Sequence, residues 1–251
     1  MQWSGDGLII GVRKHGENAV IVEAMVWGRG RHLGLVRGGR SPRQSAILQS
    51  GNSVHLTWRA RLDEHLGVYA VELDKPRAAA LIADREALYA AQLLTAHLRL
   101  LPERDPHDRL LELAISTLDG DFDAVERAQM LSLFELNLLD ELGFGLDLAS
   151  CAVSGATERL VFVSPKSGRA VTREAGQQYL DRLLPLPPYF REHARASLAD
   201  ILEGFRLTGH FLQMHVWEPR NLEPPPVRDQ LLAKLQDRAR NAVNSANESN
   251  G

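Results

Sequence analysis

Five short apolar segments at close spacing fill the first 75 residues, and few folds absorb that pattern. Gly7 to Arg13 contains Leu8, Ile9, Ile10 and Val12, Ala19 to Val26 is rich in Val and Ile, and Arg31 to Arg37 follows. In Ser53 to Arg59, Val54, Leu56 and Trp58 alternate with His55, Thr57 and Arg59. In Gly67 to Leu73, Tyr69, Val71 and Leu73 share one face. A period of two sends successive side chains to opposite faces of a strand, so each segment has a core face and a wet face. Gly16-Glu17-Asn18, Gly28 to Gly30, Gly38 to Ser41 and Asp63-Glu64 supply the turns. Five such strands predict a small closed barrel of the OB type, an architecture that commonly binds oligonucleotides.

Lys75-Pro76 ends this region, because proline cannot continue a central strand. A helical spacing then takes over, with Ala90, Leu94, Leu98 and Leu101 on one face. Asp105 is a candidate N-cap with Pro106 in the first turn of the next helix. Ala124 to Leu142 is apolar nearly all round and reads as a central buried helix, stopped by Gly143 and Gly145. Leu160 to Val163 and Arg169 to Val171 flank a Ser-Pro-Lys-Ser-Gly turn and read as a hairpin. A long helix is expected from about Phe190 to Val216. Pro224-Pro225-Pro226 then reads as the end of the ordered core, with a short helix after it and a disordered Asn/Ser-rich stretch from Asn241 to Gly251. The fold class is α+β. A basic OB-type barrel covers residues 1–75, and a mainly helical domain covers 76–222 with a hairpin insertion over 146–173. The tail, 223–251, is partly disordered.

Charge divides the chain the same way. Residues 1–80 carry 11 Lys+Arg against 7 Asp+Glu, whereas the remainder carries 18 against 25. The excess is densest from Arg13 to Arg61, where 9 basic residues face only Glu17 and Glu23. A basic N-terminal part and an acidic C-terminal part suggest two domains with different partners. With 44% hydrophobic and 24% charged residues the chain can bury a core without staples. Its single cysteine, Cys151, excludes an internal disulfide. No signal peptide and no membrane span are expected, which makes the cytoplasm the default location.

The search for catalytic chemistry returns little. There is no GxxxxGK[ST] phosphate loop and no Gly-x-Ser-x-Gly elbow, and Gly28-x-Gly30-x-x-x-Gly34 misses the dinucleotide spacing by one residue. His210 and His215 stand five apart rather than four, and Cys151 has no histidine near it in sequence. No catalytic residues are assigned and no cofactor is expected. The arginines remain. Arg29, Arg37, Arg40 and Arg43 lie on turns that bracket one short strand and suit contacts to a phosphate backbone, with Arg13, Arg31 and Arg59 behind them. Trp27 and Trp58 stand close to arginines in sequence, where their rings could stack on bases. Trp58 shares a face with Val54 and Leu56, which favours the core for it. An OB barrel that binds a protein partner instead of nucleic acid is the alternative, in keeping with a net charge of −3.

In order and spacing, the chain resembles the bacterial RecO family. The carriers are Gly7-Leu8-Ile9-Ile10, His15-Gly16-Glu17, Gly30-Arg31 and Arg37-Gly38-Gly39-Arg40 in the first part. In the second they are Phe134-Glu135-Leu136-x-Leu138-Leu139, Leu142-Gly143-Phe144, and Leu148-x-x-Cys151 followed by Gly155. The resemblance implies an OB fold followed by a helical domain. It implies a protein that binds single- and double-stranded DNA, anneals complementary strands and helps load RecA in recombinational repair. The implied partners are RecR and single-stranded-DNA-binding protein. A monomer is expected separately, because the sequence shows no coiled coil and no obvious surplus apolar face. Many members of the family carry two Cys-x-x-Cys pairs in the helical domain. Here the first pair reads Cys151-x-x-Ser154 and the second falls at Val171-x-x-Glu174. A tetrahedral zinc site needs four suitable ligands, so a degenerate, metal-free hairpin held by Val161, Phe162, Val163 and Val171 is expected.

Overall fold

Alternation in the first segments does produce a closed barrel. Its strands are β1 (Gln2–His15), β2 (Ala19–Val26), β3 (Gly30–Val36), β4 (Ser53–Arg59) and β5 (Val68–Lys75), joined in the order β1-β2-β3-β5-β4. The long β1 closes the ring. Its second half pairs with β2 from Gly7↔Val26 to His15↔Ala19, and its first half pairs with β4 from Gln2↔Arg59 to Leu8↔Ser53. An irregularity between Ile9 and Gly11 lets one strand serve both neighbours by bending it. A parallel contact, Leu35↔Val68, joins β3 to β5. Inside lie Ile9, Val22, Ala24, Val26, Val54, Leu56 and Trp58, all fully buried. Burying each of the larger aliphatic side chains contributes about 1.5–3 kcal/mol. Gly34 has no room for a side chain, since a Cβ there would stand 2.3 Å from the Tyr69 ring.

The computed structural model describes residues 1–192 and 194–248. The chain forms two compact units, Met1–Gly120 and Asp121–Gly251. The first unit therefore holds the barrel together with α1 (Pro42–Ile47), α2 (Ala78–Ala83), α3 (Arg85–Leu98) and α4 (Asp108–Asp119). Arg77 ties the strands to the helices. Its buried guanidinium donates to Asp119 and to Ser53 Oγ (2.7 Å). Asn52 Oδ1 accepts the N–H groups of Arg77 (2.8 Å) and Ala78 (2.9 Å), which caps α2. The Arg77 hydrogen bonds hold the Asp119 carboxyl below its ordinary range. Asp105 and Pro106 do not open α4. His107 is its N-cap residue, because the backbone at Asp105 is packed against Gly30 instead.

In the second unit α5 (Ala124–Glu141) begins with a reciprocal cap between Asp123 and Glu126. Its Leu131, Phe134, Leu138 and Leu139 are buried, whereas Met130, Leu133 and Leu136 are only partly so. It packs on α7 (Leu198–Leu212), which starts later than the apolar spacing suggests. Ser197 and Asp200 form its cap, and the segment before it contains a 3-10 turn at Pro188–Phe190. The hairpin is β6 (Leu160–Val163) and β7 (Ala170–Thr172), to which β8 (Leu184–Pro185) adds a third strand. Thr172 caps the one-turn helix α6 (Arg173–Gly176).

The triple proline is where the second unit departs from expectation. It leads into the long helix α8 (Pro226–Glu248), and proline suits a helix start because its missing N–H would be unpaired there anyway. Val227, Leu231 and Leu235 recur every four residues and are buried. Arg228 is buried with them, donating to both oxygens of the fully buried Glu135 at 2.8 and 2.9 Å and to Phe205 O at 2.6 Å. The ordered core thus continues past Pro226. Of the stretch expected to be disordered, 241–248 is helical and 249–251 lies outside the described residues. Among the described residues, no helix is long and apolar enough to cross a membrane.

Candidate nucleic-acid interface

The two turns flanking β3 place the candidate arginines at opposite ends of the barrel. The β2–β3 pairing runs from Val26↔Gly30 to Val20↔Val36. Six residues of strand span roughly 20 Å, so Arg29 and Arg37 are separated by about that distance along the barrel. Arg37, Arg40 and Arg43 join the β1–β2 turn at one end, which we call the loop end. Arg29 and Arg59 lie at the other, which we call the tryptophan end.

At the loop end, the Arg40 N–H donates to Asn18 O (3.4 Å) and its guanidinium donates to Glu17 O, fastening the segment after β3 to the β1–β2 turn. Ser41 Oγ accepts from Gln44 N (3.4 Å) to cap α1, on which Arg43 is carried. Arg13 is on β1, in register with Ile21 of β2 and hence on the same face of the sheet. Arg13, Arg37 and Arg43 are exposed and make no ion pair or side-chain hydrogen bond among the described residues. Across 11–22 and 37–50 the cations are Arg13, Lys14, Arg37, Arg40 and Arg43, and the one carboxylate is Glu17. Guanidinium groups held on turns without acidic partners can take phosphate oxygens, and phosphate contacts carry no sequence information directly.

The tryptophan end is built differently. Arg31 is engaged within the fold, donating to Leu101 O (2.7 Å) and pairing with Glu23, a carboxylate that also accepts from Arg99 (2.9 Å). Arg59 is exposed at the end of β4, opposite Gln2. The Arg29 guanidinium lies over the Trp3 ring, 4.6 Å from its centroid. Trp58 is fully buried, with its Nε1–H donating to Leu66 O (2.9 Å), and its ring stacks with Trp3. Trp27 is exposed on the β2–β3 turn. His32 is buried between Trp3, Trp58 and Tyr69, and its pKa is lowered to about 4 by burial, then by Arg104. Burial pushes the Tyr69 hydroxyl far up. Sequence reasoning misses Trp3 and Arg104. Extending β1 back to Gln2 would set Trp3 opposite Trp58, whereas nothing local marks Arg104.

The remaining candidates lie in the second unit. Cys151 is buried, and its Sγ accepts from the N–H groups of Ser154 and Thr172 at 3.5 Å each. Burial pushes the thiol up. The hydroxyl of Ser154 and the N–H groups of Ser154, Thr172 and Val153 outweigh that and bring it to about 6. Val171 is buried in the hairpin with Leu160 and Val163, and Glu174 is exposed with Arg159 3.7 Å away. Of Cys151, Ser154, Val171 and Glu174, only a thiol and one carboxylate are common zinc ligands, a donor set that does not fit a tetrahedral zinc ion. Among the described residues no three His, Cys, Asp or Glu side chains converge. His210 Nε2 lies 3.2 Å from Pro165 O, and His215 stacks on Phe144.

Comparison with known proteins places these features in context. Residues 1–75 match the family described as Recombination protein O N terminal, and residues 82–223 match Recombination protein O C terminal. The DNA repair protein RecO of Chelativorans sp. (strain BNC1) is 53% identical over 238 residues, covering 94% of this chain and 96% of that protein. That of Methylocella silvestris is 52% identical over 241 residues, covering 95% and 97%. That of Brucella abortus (strain 2308) is 50% identical over 234 residues, covering 92% and 95%. Matched in both its N-terminal and C-terminal parts, and over nearly the full length of these relatives, the chain belongs to the RecO family of DNA repair proteins.

Proposed function

We propose that this chain is a DNA-binding recombination mediator that acts without catalytic turnover. In this reading it binds single- and double-stranded DNA, anneals complementary strands and helps load RecA onto single-stranded DNA. RecR and single-stranded-DNA-binding protein are its partners. It works as a monomer in the cytoplasm, associated with the nucleoid. The observation that carries the reading is the loop end of the barrel, where Arg13, Arg37 and Arg43 stand exposed without acidic partners and Arg40 pins their turn. Annealing requires two mutually repelling backbones to approach. Fixed cations on a rigid barrel screen both at short range, where mobile salt, with a Debye length of about 10 Å at 0.1 M, screens incompletely. The acidic second part is suited to protein partners and not to a third polyanion.

Fluorescence anisotropy of a labelled single-stranded oligonucleotide across a salt series tests the proposal, with annealing of a labelled complementary pair as the second readout. Wild-type binding should weaken steeply with salt. Arg37→Ala/Arg40→Ala/Arg43→Ala should flatten the logarithmic slope by at least about 1.4, at roughly 0.7 for each single-strand phosphate contact of Arg37 and Arg43, and should slow annealing. A wild-type chain that binds no DNA at low salt sinks the reading in favour of a protein-binding barrel. Equal binding by both chains removes these arginines from the interface.

A further inference from the structure

The tryptophan end carries an arrangement that backbone contacts leave unexplained. Trp3 is partly exposed and stacks with buried Trp58 at a centroid distance of 5.9 Å and 17° between planes. The rings of His32 (4.9 Å) and Tyr69 (6.0 Å) meet it edge-on, so its orientation is fixed from several sides. Arg29, itself exposed, lies over it. The chain also spends backbone strain here. Arg104 sits at φ +63, a conformation disfavoured for a side-chain-bearing residue. Its N–H donates to Arg31 O (2.8 Å) and its guanidinium to His65 O (3.1 Å). The neighbouring Asp105 carbonyl is packed so closely on Gly30 that a Cβ there would lie 1.8 Å from it. Arg104 and Arg29 both disfavour a proton on His32, and the charge of Asp63 favours one. The end is therefore aromatic and of mixed charge, unlike the loop end.

We propose that the Trp3–Arg29 stack is a docking position for one unpaired nucleobase, giving the barrel a preference for single strands over duplex. The inference rests on the DNA-binding reading above and adds to it a second, chemically different contact. A base inside a duplex has no free face to offer, whereas a splayed base can stack on an indole ring or on the guanidinium plane covering it. Stacking on every base is possible because each has a π-face, so the site distinguishes strandedness and not sequence. It also adds affinity that salt does not screen, in contrast to the phosphate contacts.

The test uses the full chain and three probes of equal length: an oligothymidylate, an abasic strand with the same phosphates, and a duplex. Wild-type protein should bind the thymidylate strand at least about fivefold more tightly than the abasic one, and this ratio should persist at high salt. Trp3→Leu should bring the ratio close to one while leaving duplex affinity within about twofold. A wild-type ratio near one, or a ratio that survives in Trp3→Leu, overturns the inference. Salt-dependent binding with a ratio near one overturns it alone, whereas absence of binding to all three probes also removes the DNA-binding reading. Should Trp3→Leu not fold, photocross-linking of a 5-iodouracil strand to the wild-type chain decides. Cross-links on the peptide containing Trp3 support the site, and cross-links confined to other peptides overturn it.

Discussion

The two ends of the barrel use the same residue type on different terms. At the loop end Arg13, Arg37 and Arg43 reach into solvent from β1, from the turn after β3 and from a one-and-a-half-turn helix, and Glu17 is the one carboxylate within 11–22 and 37–50. At the tryptophan end Arg31 is locked to Glu23 and Leu101 O, Arg104 is held at a strained backbone position, and Arg29 rests on an indole. An arginine count treats all of these alike. The physical distinction is whether the guanidinium's donors are already spent. Free donors answer to salt and phosphate, whereas spent donors answer to folding. Substitutions at the two ends should therefore change different measurements.

The largest effect expected from breaking this contrast is at Gly30. An alanine there must hold φ +68 and place its Cβ 1.8 Å from the Asp105 carbonyl oxygen, an atom of rigid backbone. Gly30→Ala should cost about 3 kcal/mol or more, seen as an early denaturant midpoint, and should displace the segment that carries Arg104. A variant with wild-type stability would show that the close packing of residues 102–107 on β3 is not needed. Arg31→Ala comes next. Glu23 would lose one of its two arginines inside the fold but keep Arg99, so the cost should be about 2 kcal/mol, less than for an abandoned buried charge. The salt slope of DNA binding should stay unchanged. A changed slope with unchanged stability would move Arg31 into the interface.

The barrel is legible in the sequence because period two is strong where one face is sealed, as at Val54, Leu56 and Trp58. The N-terminal half of β1 is not, since Trp3-Ser4-Gly5-Asp6 carries one large apolar side chain, too few to show a period, and pairs with β4 alone. The helix α1 has no buried residue, so it leaves no apolar stripe to read. The helix α8 reads as a tail because its anchor is a charge. Arg228 is buried only because Glu135, 93 residues earlier, meets it with both oxygens. The candidate site is legible in kind and not in place. Arg29 to Arg43 read as one continuous basic stretch, but β3 runs through the middle of it and carries its two halves to opposite ends. The partners that engage Arg31 come from residues 23 and 101, a pairing no local window contains.

A pH series probes the tryptophan end separately, because buried His32 belongs to it. Burial, Arg104 and Arg29 lower the His32 pKa from 6.5 to about 4 against the smaller opposing pull of Leu33 O and Asp63. A base with a depressed folded-state pKa contributes fully above pH 6.5, where neither state binds the proton. Between pH 6.5 and about 4 the unfolded chain takes up a proton that the folded chain refuses, so stability falls across that window. Thermal unfolding should show this decline, and His32→Gln should lose that part of it. A variant whose melting temperature falls as steeply as wild type over the same window would assign the decline to other groups.

The smallest expected effect separates the two ends most cleanly. Arg37→Ala and Arg43→Ala, made singly, remove exposed side chains that no group in the fold receives, so stability should change by no more than about 0.5 kcal/mol. Removing such a cation beside other cations relieves repulsion, and a slight stabilisation would agree with that. DNA affinity at low salt should nevertheless drop, with the logarithmic salt slope shrinking by about 0.7 for each phosphate of a single strand left without its arginine. The dissociation matters more than either number. A residue whose loss leaves folding untouched and binding weaker has donors reserved for something outside the chain. If both variants melt well below wild type, the loop-end arginines are structural like Arg31, and the contrast between the two ends collapses.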